Sequence, residues 1–153
     1  MKWVWFILIG LATLVAVVAV IGMQLPRNHV ASRTLRVRRP PQDVWPVVTQ
    51  LMAASSVPTD IVENDQPRRL VSRVKDTGKM FGGTWTVTMT PLEDRATATG
   101  QTASSLTITE DGWVANPIFR FVSRFIVGHH ATMDGILKNV AKQLGEEPSL
   151  FGE

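Results

Sequence analysis

Residues Trp3 to Met23 carry no charge and are overwhelmingly apolar. A helix through this run, at 1.5 Å per residue, is about 30 Å long, the thickness of a bilayer's hydrocarbon core. A secretory signal has a shorter apolar core, about 7–15 residues, ending at a small-residue cleavage site. Here the core is longer, and "VIGMQLPR" is a poor cleavage site. Trp3 and Trp5 stand where an interfacial aromatic anchor belongs. The expectation is a retained transmembrane anchor over residues 1–24, with a cleaved signal as the alternative.

Charge is distributed to match. Arg27, Arg33, Arg36, Arg38 and Arg39 follow the run with no acid among them. From Pro40 onward there are 10 basic and 13 acidic side chains, so the net charge of +3 belongs to the juxtamembrane stretch and not to a nucleic-acid-binding face. Basic residues beside an anchor favour the cytoplasmic side and are drawn to anionic headgroups. The reading is therefore a single-pass plasma- or inner-membrane protein, N-out and C-in, with Arg33, Arg36, Arg38 and Arg39 facing anionic lipid. The chain has no cysteine, which excludes disulfides and thiolate sites, and no tyrosine, which removes one common general acid.

Beyond the anchor, residues 25–32 read as a polar linker with Pro26 ending the helix. "SRTLRVRR" places Leu35 and Val37 on one face and Thr34, Arg36 and Arg38 on the other, the period of a half-buried strand. "PPQDVWPVVTQLM" has Val44, Val47, Val48 and Leu51 at helical spacing, and Pro46 predicts a late start or a kink. Two short strands flank Gln66-Pro67. "GGTWTVTMTP" is the clearest strand, with Trp85, Val87 and Met89 on one face and threonines on the other. "EDRATATGQTASS" reads as an exposed hairpin excursion, and strand alternation resumes through Leu106 and Ile108. Asn116-Pro117 opens a helix, Gly128 breaks or bends it, and Met133, Ile136, Leu137, Val140 and Leu144 form an apolar stripe beyond. Residues 146–153 read as a frayed tail. The order of elements is an α+β pattern, a curved antiparallel sheet packed on a long C-terminal helix.

The segments "LPRNHVASRTLRVRRPPQDVW", "PRRLVSRV", "FGGTW" and "LTITEDGWVANPIFRFVSRFIVGHHATMDGIL" resemble a membrane-anchored branch of the SRPBCC superfamily. These START-related helix-grip proteins are often labelled polyketide cyclase/dehydrase-like or lipid-transport-like. The resemblance implies a helix-grip domain over residues 33–145, enclosing an apolar cavity for a hydrophobic molecule. This chain departs from the family pattern between Trp45 and Pro67, where such proteins carry two more strands, so a sheet shortened by about two strands is expected. The resemblance transfers no catalytic constellation.

On this reading Trp85, Val87, Met89, Ile108 and Trp113 of the sheet face Phe121, Phe125, Met133, Ile136 and Leu137 of the helix, either as ordinary core or as ligand wall. Candidate polar groups at the mouth are Glu110, Asn116, Arg120, Arg124 and His130. Glu110 and Asp111 adjoin Gly112 and read as a turn; as strand neighbours they would face opposite ways. Glu110 is a candidate partner for Arg120 or Arg124. His130 and Asp134 share a helix face, but three protein ligands are the usual requirement for a catalytic metal and His29 lies beside the membrane, so no metal or other cofactor is expected. "GKMFGGTW" lacks the ending of a phosphate loop. The expected function is a membrane-anchored binder of a hydrophobic ligand, a lipid among the candidates. The alternatives are a non-catalytic interaction module without a cavity and a cyclase/dehydratase-type enzyme.

Overall fold

The computed structural model describes residues 2–55, 57–75, 80–92, 102–128 and 130–152. Helix α1 (Lys2–Gln24) is the long apolar run. It leads into β1 (Asn28–Val37), α2 (Pro41–Ala53), β2 (Thr59–Asp65), β3 (Arg69–Val74), β4 (Phe81–Leu92) and β5 (Ala103–Val114). Then come α3 (Pro117–Val122), a π-helical turn (Ser123–Val127), α4 (Ala131–Gln143) and the short β6 (Leu150–Phe151). The fold is α+β, with six antiparallel strands in the order β2-β3-β4-β5-β1-β6.

Strand alternation decides the layers. Leu35 and Val37 of β1, Leu70 of β3, Val87 and Met89 of β4, and Leu106 and Ile108 of β5 are buried on one face. They meet Val44, Trp45 and Val48 of α2 and Met133, Leu137 and Val140 of α4 in a single core. The opposite face is written in serine and threonine: Ser32 and Thr109, and Thr34 and Thr107, bring their hydroxyl oxygens to 2.9 Å across the β1–β5 pair. A sheet with one apolar and one polar face needs only one helical layer.

Several boundaries differ from the sequence reading. The linker expected over residues 25–32 is reduced to Leu25–Arg27, because β1 begins at Asn28 and pairs with β5 from Asn28↔Trp113 onward. The expected frayed tail instead pairs with β1 through Thr34↔Phe151 and Leu35↔Leu150. The Arg36 guanidinium caps the Phe151 ring at 5.0 Å. Helix α2 does not start late: it begins at Pro41 and continues through Pro46. Pro46 is exposed and forgoes only a bond to the carbonyl of exposed Gln42, so water replaces it. The expected excursion over residues 93–105 lies mostly outside the described residues, but its end belongs to β5, where the buried Ser104 hydroxyl donates to the Arg39 carbonyl at 2.6 Å. The "EDG" turn does not form; β5 runs straight through it to Val114.

The long C-terminal helix is interrupted. Helix α3 lasts one and a half turns, widens into the π-helical turn and ends at Gly128, whose φ of 79° and ψ of 147° suit glycine alone. Only the second piece, α4, packs on the core. The first piece packs against α1: a Cβ at Gly22 would collide with the Pro117 carbonyl, so the two backbones touch there.

Candidate ligand cavity

A cavity of about 280 Å³ lies between the sheet and the interrupted helix, at the end of the sheet nearest α1. Its floor is the continuation of the inward strand positions past the core. His29 of β1, Ser72 and Val74 of β3, Phe81 and Trp85 of β4, and Glu110 of β5 all line it. The roof comes from Met52 at the end of α2, Ser123 and Val127 of the π-helical turn, Gly128, and Thr132 and Ile136 of α4. The core fills the space between sheet and helix where both carry branched aliphatics. It gives out at the start of α4, where the chain has just turned at Gly128, and the cavity occupies that gap.

The wall is mainly apolar, with one ionisable pair. His29 Nε2 lies 3.5 Å from Glu110 Oε1, and both side chains are about one-fifth exposed. The register explains the meeting: His29 is opposite Gly112, and a Cβ on Gly112 would sit 2.9 Å from the imidazole, so glycine leaves the ring its room. Ser55, Thr59, Ser72, Ser123 and Thr132 add further polar lining. A depression of about 440 Å³ between the end of α2 and the β2–β3 pair shares Met52, Ser55, Val57, Thr59 and Ser72 with the cavity.

The residues expected from sequence divide sharply. Trp85, Trp113, Ile136 and Glu110 line the cavity. Val87, Met89, Ile108, Met133 and Leu137 do not; each is at most 2% exposed and belongs to the solid core. Phe121 and Phe125 pack on each other with centroids 5.0 Å apart, and Phe125 is 60% exposed, away from both core and cavity. Asn116 caps α3, accepting from the Ile118 and Phe119 N–H groups at 2.9 and 3.3 Å, which occupies its carbonyl oxygen. His130 sits at the start of α4 and does not line the cavity. Among the described residues no group of three His, Asp or Glu is arranged to hold a metal, and His129 lies outside them.

The arginines are also redistributed. Glu110 pairs with neither Arg120 nor Arg124. Arg120 is buried and donates to the Leu25 carbonyl at 3.0 Å and to the Ala115 carbonyl at 2.8 Å, tying the end of α1 to α3. Arg124 is exposed and, with Arg27, Arg120 and His29, lines a cationic hollow of about 250 Å³ where α1, β1 and α3 meet. Of the arginines expected at headgroups, Arg33 points inward to Asp134 of α4. Arg36 stacks on Phe151, and Arg39 lies 3.9 Å from Glu146. The Arg38 N–H donates to the same Glu146 carboxylate. Strand β1 rises about 3.4 Å per residue, so Arg36 stands roughly 27 Å from the strand's start beside α1, and Arg38 and Arg39 follow the strand's far end.

Sequence reasoning missed His29, Met52, Phe81, Ser123 and Val127 as lining. The signal for His29 was present: it shares strand parity with Ala31, Leu35 and Val37, once β1 is extended back to Asn28.

No family model matches the chain, and no curated protein does. Solved structures do. A conserved protein from Geobacillus kaustophilus superposes with a TM-score of 0.57 at 11% identity, covering 80% of this chain and 99% of that one. An HSP90 activator from Plasmodium falciparum gives 0.48 at 14%, covering 81% of this chain and all of the other. A Rhodobacter sphaeroides protein gives 0.41 at 13%, covering 78% of this chain and 99% of that one. At such identities the first of these speaks for a shared α+β fold and for nothing chemical.

Proposed function

We propose that this chain is a membrane-anchored binding protein of the helix-grip type, holding a hydrophobic molecule with a polar end between its sheet and its interrupted C-terminal helix. The observation that carries the reading is the cavity of about 280 Å³, walled by Phe81, Trp85, Trp113, Val127 and Ile136 around the His29–Glu110 pair. Ligand sites are mainly apolar concavities of roughly 300–1,000 Å³ with a few placed polar groups, and this one, at about 280 Å³, lies just below that range. Burial of an acyl chain or similar group supplies the affinity; the imidazole, carboxylate and hydroxyls orient the head. The sequence resemblance to START-related proteins supports the same reading. Helix α1 is long and apolar enough to cross a bilayer. The arginine-rich stretch after it favours a cytoplasmic domain, because the positive-inside bias acts on the inserting chain before Arg33 and Arg39 find Asp134 and Glu146.

The test is uptake of fluorescent fatty acids by the full chain in nanodiscs. Saturable uptake that Ile136→Trp abolishes is expected, since an indole there fills the space beside Trp85. Should Ile136→Trp fail to fold, Val127→Trp fills the cavity from the exposed π-helical turn and must do the same. Absence of saturable uptake, or uptake indifferent to both substitutions, contradicts the reading and favours an interaction module.

A second reading draws on the His29–Glu110 pair, which has the composition of a general acid and its orienting partner. A dehydratase-type enzyme would return a captured molecule lighter by one water and a cyclase would return an isomer of altered chromatographic retention, whereas a binder returns it unchanged.

A further inference from the structure

From the surface around α3 we infer that α3 and the π-helical turn form a second membrane contact, lying in the plane of the leaflet into which the end of α1 emerges. Ile118 and Phe119 at one end of this short segment, and Phe125, Ile126 and Val127 at the other, are between 37 and 70% exposed. They are continued by Met80, Phe81 and Trp113, exposed at the adjoining ends of β4 and β5, where the Ala115 N–H donates to the Met80 carbonyl. So many large apolar side chains exposed on neighbouring element ends mark an interaction site.

The occupant is fixed by where α1 runs. One face of its last two turns is covered: Val18 and Ala19 partly, Gly22 wholly, with the Gly22 backbone against Pro117 of α3. Those residues precede Gln24 by two to six positions, so the contact lies about 3–9 Å back along the helix from its end. An interfacial helix buries its apolar face about 5–10 Å into the headgroup–acyl boundary. If α1 spans a bilayer, α3 is therefore held at that depth by a contact that a larger residue at position 22 would forbid. Arg120 locks the arrangement through the Leu25 and Ala115 carbonyls. Charge agrees with the placement: Arg27 and Arg124 are exposed beside the patch, at the level of anionic headgroups, and no acidic residue lies between Asn116 and His130. Trp113, at the rim, has the amphipathic side chain that favours the interface. Since Val127, Phe81 and Trp113 also line the cavity, its mouth would face the leaflet and not the aqueous phase.

This inference rests on α1 being a membrane span, and the experiment separates the two. The chain has no cysteine, so single introduced thiols report one site each. Phe119→Cys, Ile126→Cys, Leu11→Cys and Glu147→Cys, in the full chain, are labelled with an environment-sensitive fluorophore. The labelled chains are then reconstituted in phosphatidylcholine–phosphatidylglycerol vesicles carrying nitroxide lipids of graded depth. Expected is blue-shifted emission at 119 and 126 that shallow nitroxides quench, with deep quenching at 11 and none at 147. Quenching at 11 with none at 119 and 126 overturns the in-plane contact while leaving the anchor. Blue-shifted but unquenched probes at 119 and 126 overturn it in favour of a protein partner. No quenching at 11 overturns both.

Discussion

Arg33 and Asp134 meet on the inner face of the sheet, where the neighbouring positions are Ala31, Leu35 and Met133. Their Nε and Oδ1 atoms are 3.0 Å apart but out of line for a hydrogen bond, so the attraction is that of an ion pair. A second bond, from Arg33 Nη1 to the Gly152 carbonyl at 2.6 Å, pins the chain end beside β1. Removing the guanidinium strands a three-quarters-buried carboxylate and releases β6 together. Arg33→Met should lower stability by roughly 1–3 kcal/mol. Arg36→Met loses only an exposed stacking contact and should cost less than about 1 kcal/mol. Denaturant midpoints at unchanged slope measure both, and equal losses would refute the inward role given to Arg33. In the sequence these arginines look alike, because their roles are set by strand parity and by a tail whose pairing no pattern announces.

At the scale of elements, the interruption between α3 and α4 organises the molecule. An unbroken helix would have carried Phe121 and Phe125 along the sheet with Met133 and Leu137. Instead the π-helical turn and Gly128 swing the first piece onto α1, which opens the cavity and exposes Phe125, Ile126 and Val127. Gly128→Ala places a Cβ in a backbone region reserved for glycine and should cost about 1–3 kcal/mol. Because Gly128 and Val127 line the cavity, the same change should weaken uptake of a fluorescent fatty acid more than Gly135→Ala, which adds a methyl in open space within α4. Thermal unfolding and uptake read on the same two variants check this. Helical periodicity puts the phenylalanines inside, as core or as ligand wall. It reports that a side chain avoids water, and it is silent on whether core, ligand or bilayer provides the shelter.

At the scale of the whole molecule, the strands of the core and the apolar stripe of α4 were legible, because strict alternation and helical spacing both point at one interior. The first half of β1 was not, since its inward positions are His29, Ala31 and Arg33, a sequence that looks like solvent-exposed linker. Part of the candidate site lay in that hidden half, and the rest, Met52, Phe81, Ser123 and Val127, comes from element ends where periodicity has run out. Together the pieces describe a long apolar helix, a sheet end and an interrupted helix converging on one cavity beside the end of that apolar helix. The most direct test is native mass spectrometry of the full chain released from nanodiscs. The account predicts a bound hydrophobic species, in about one-to-one proportion, that is lost in the cavity-filling variant Ile136→Trp while the fold is retained. A spectrum of the bare chain alone, or an adduct that persists in Ile136→Trp, would contradict it.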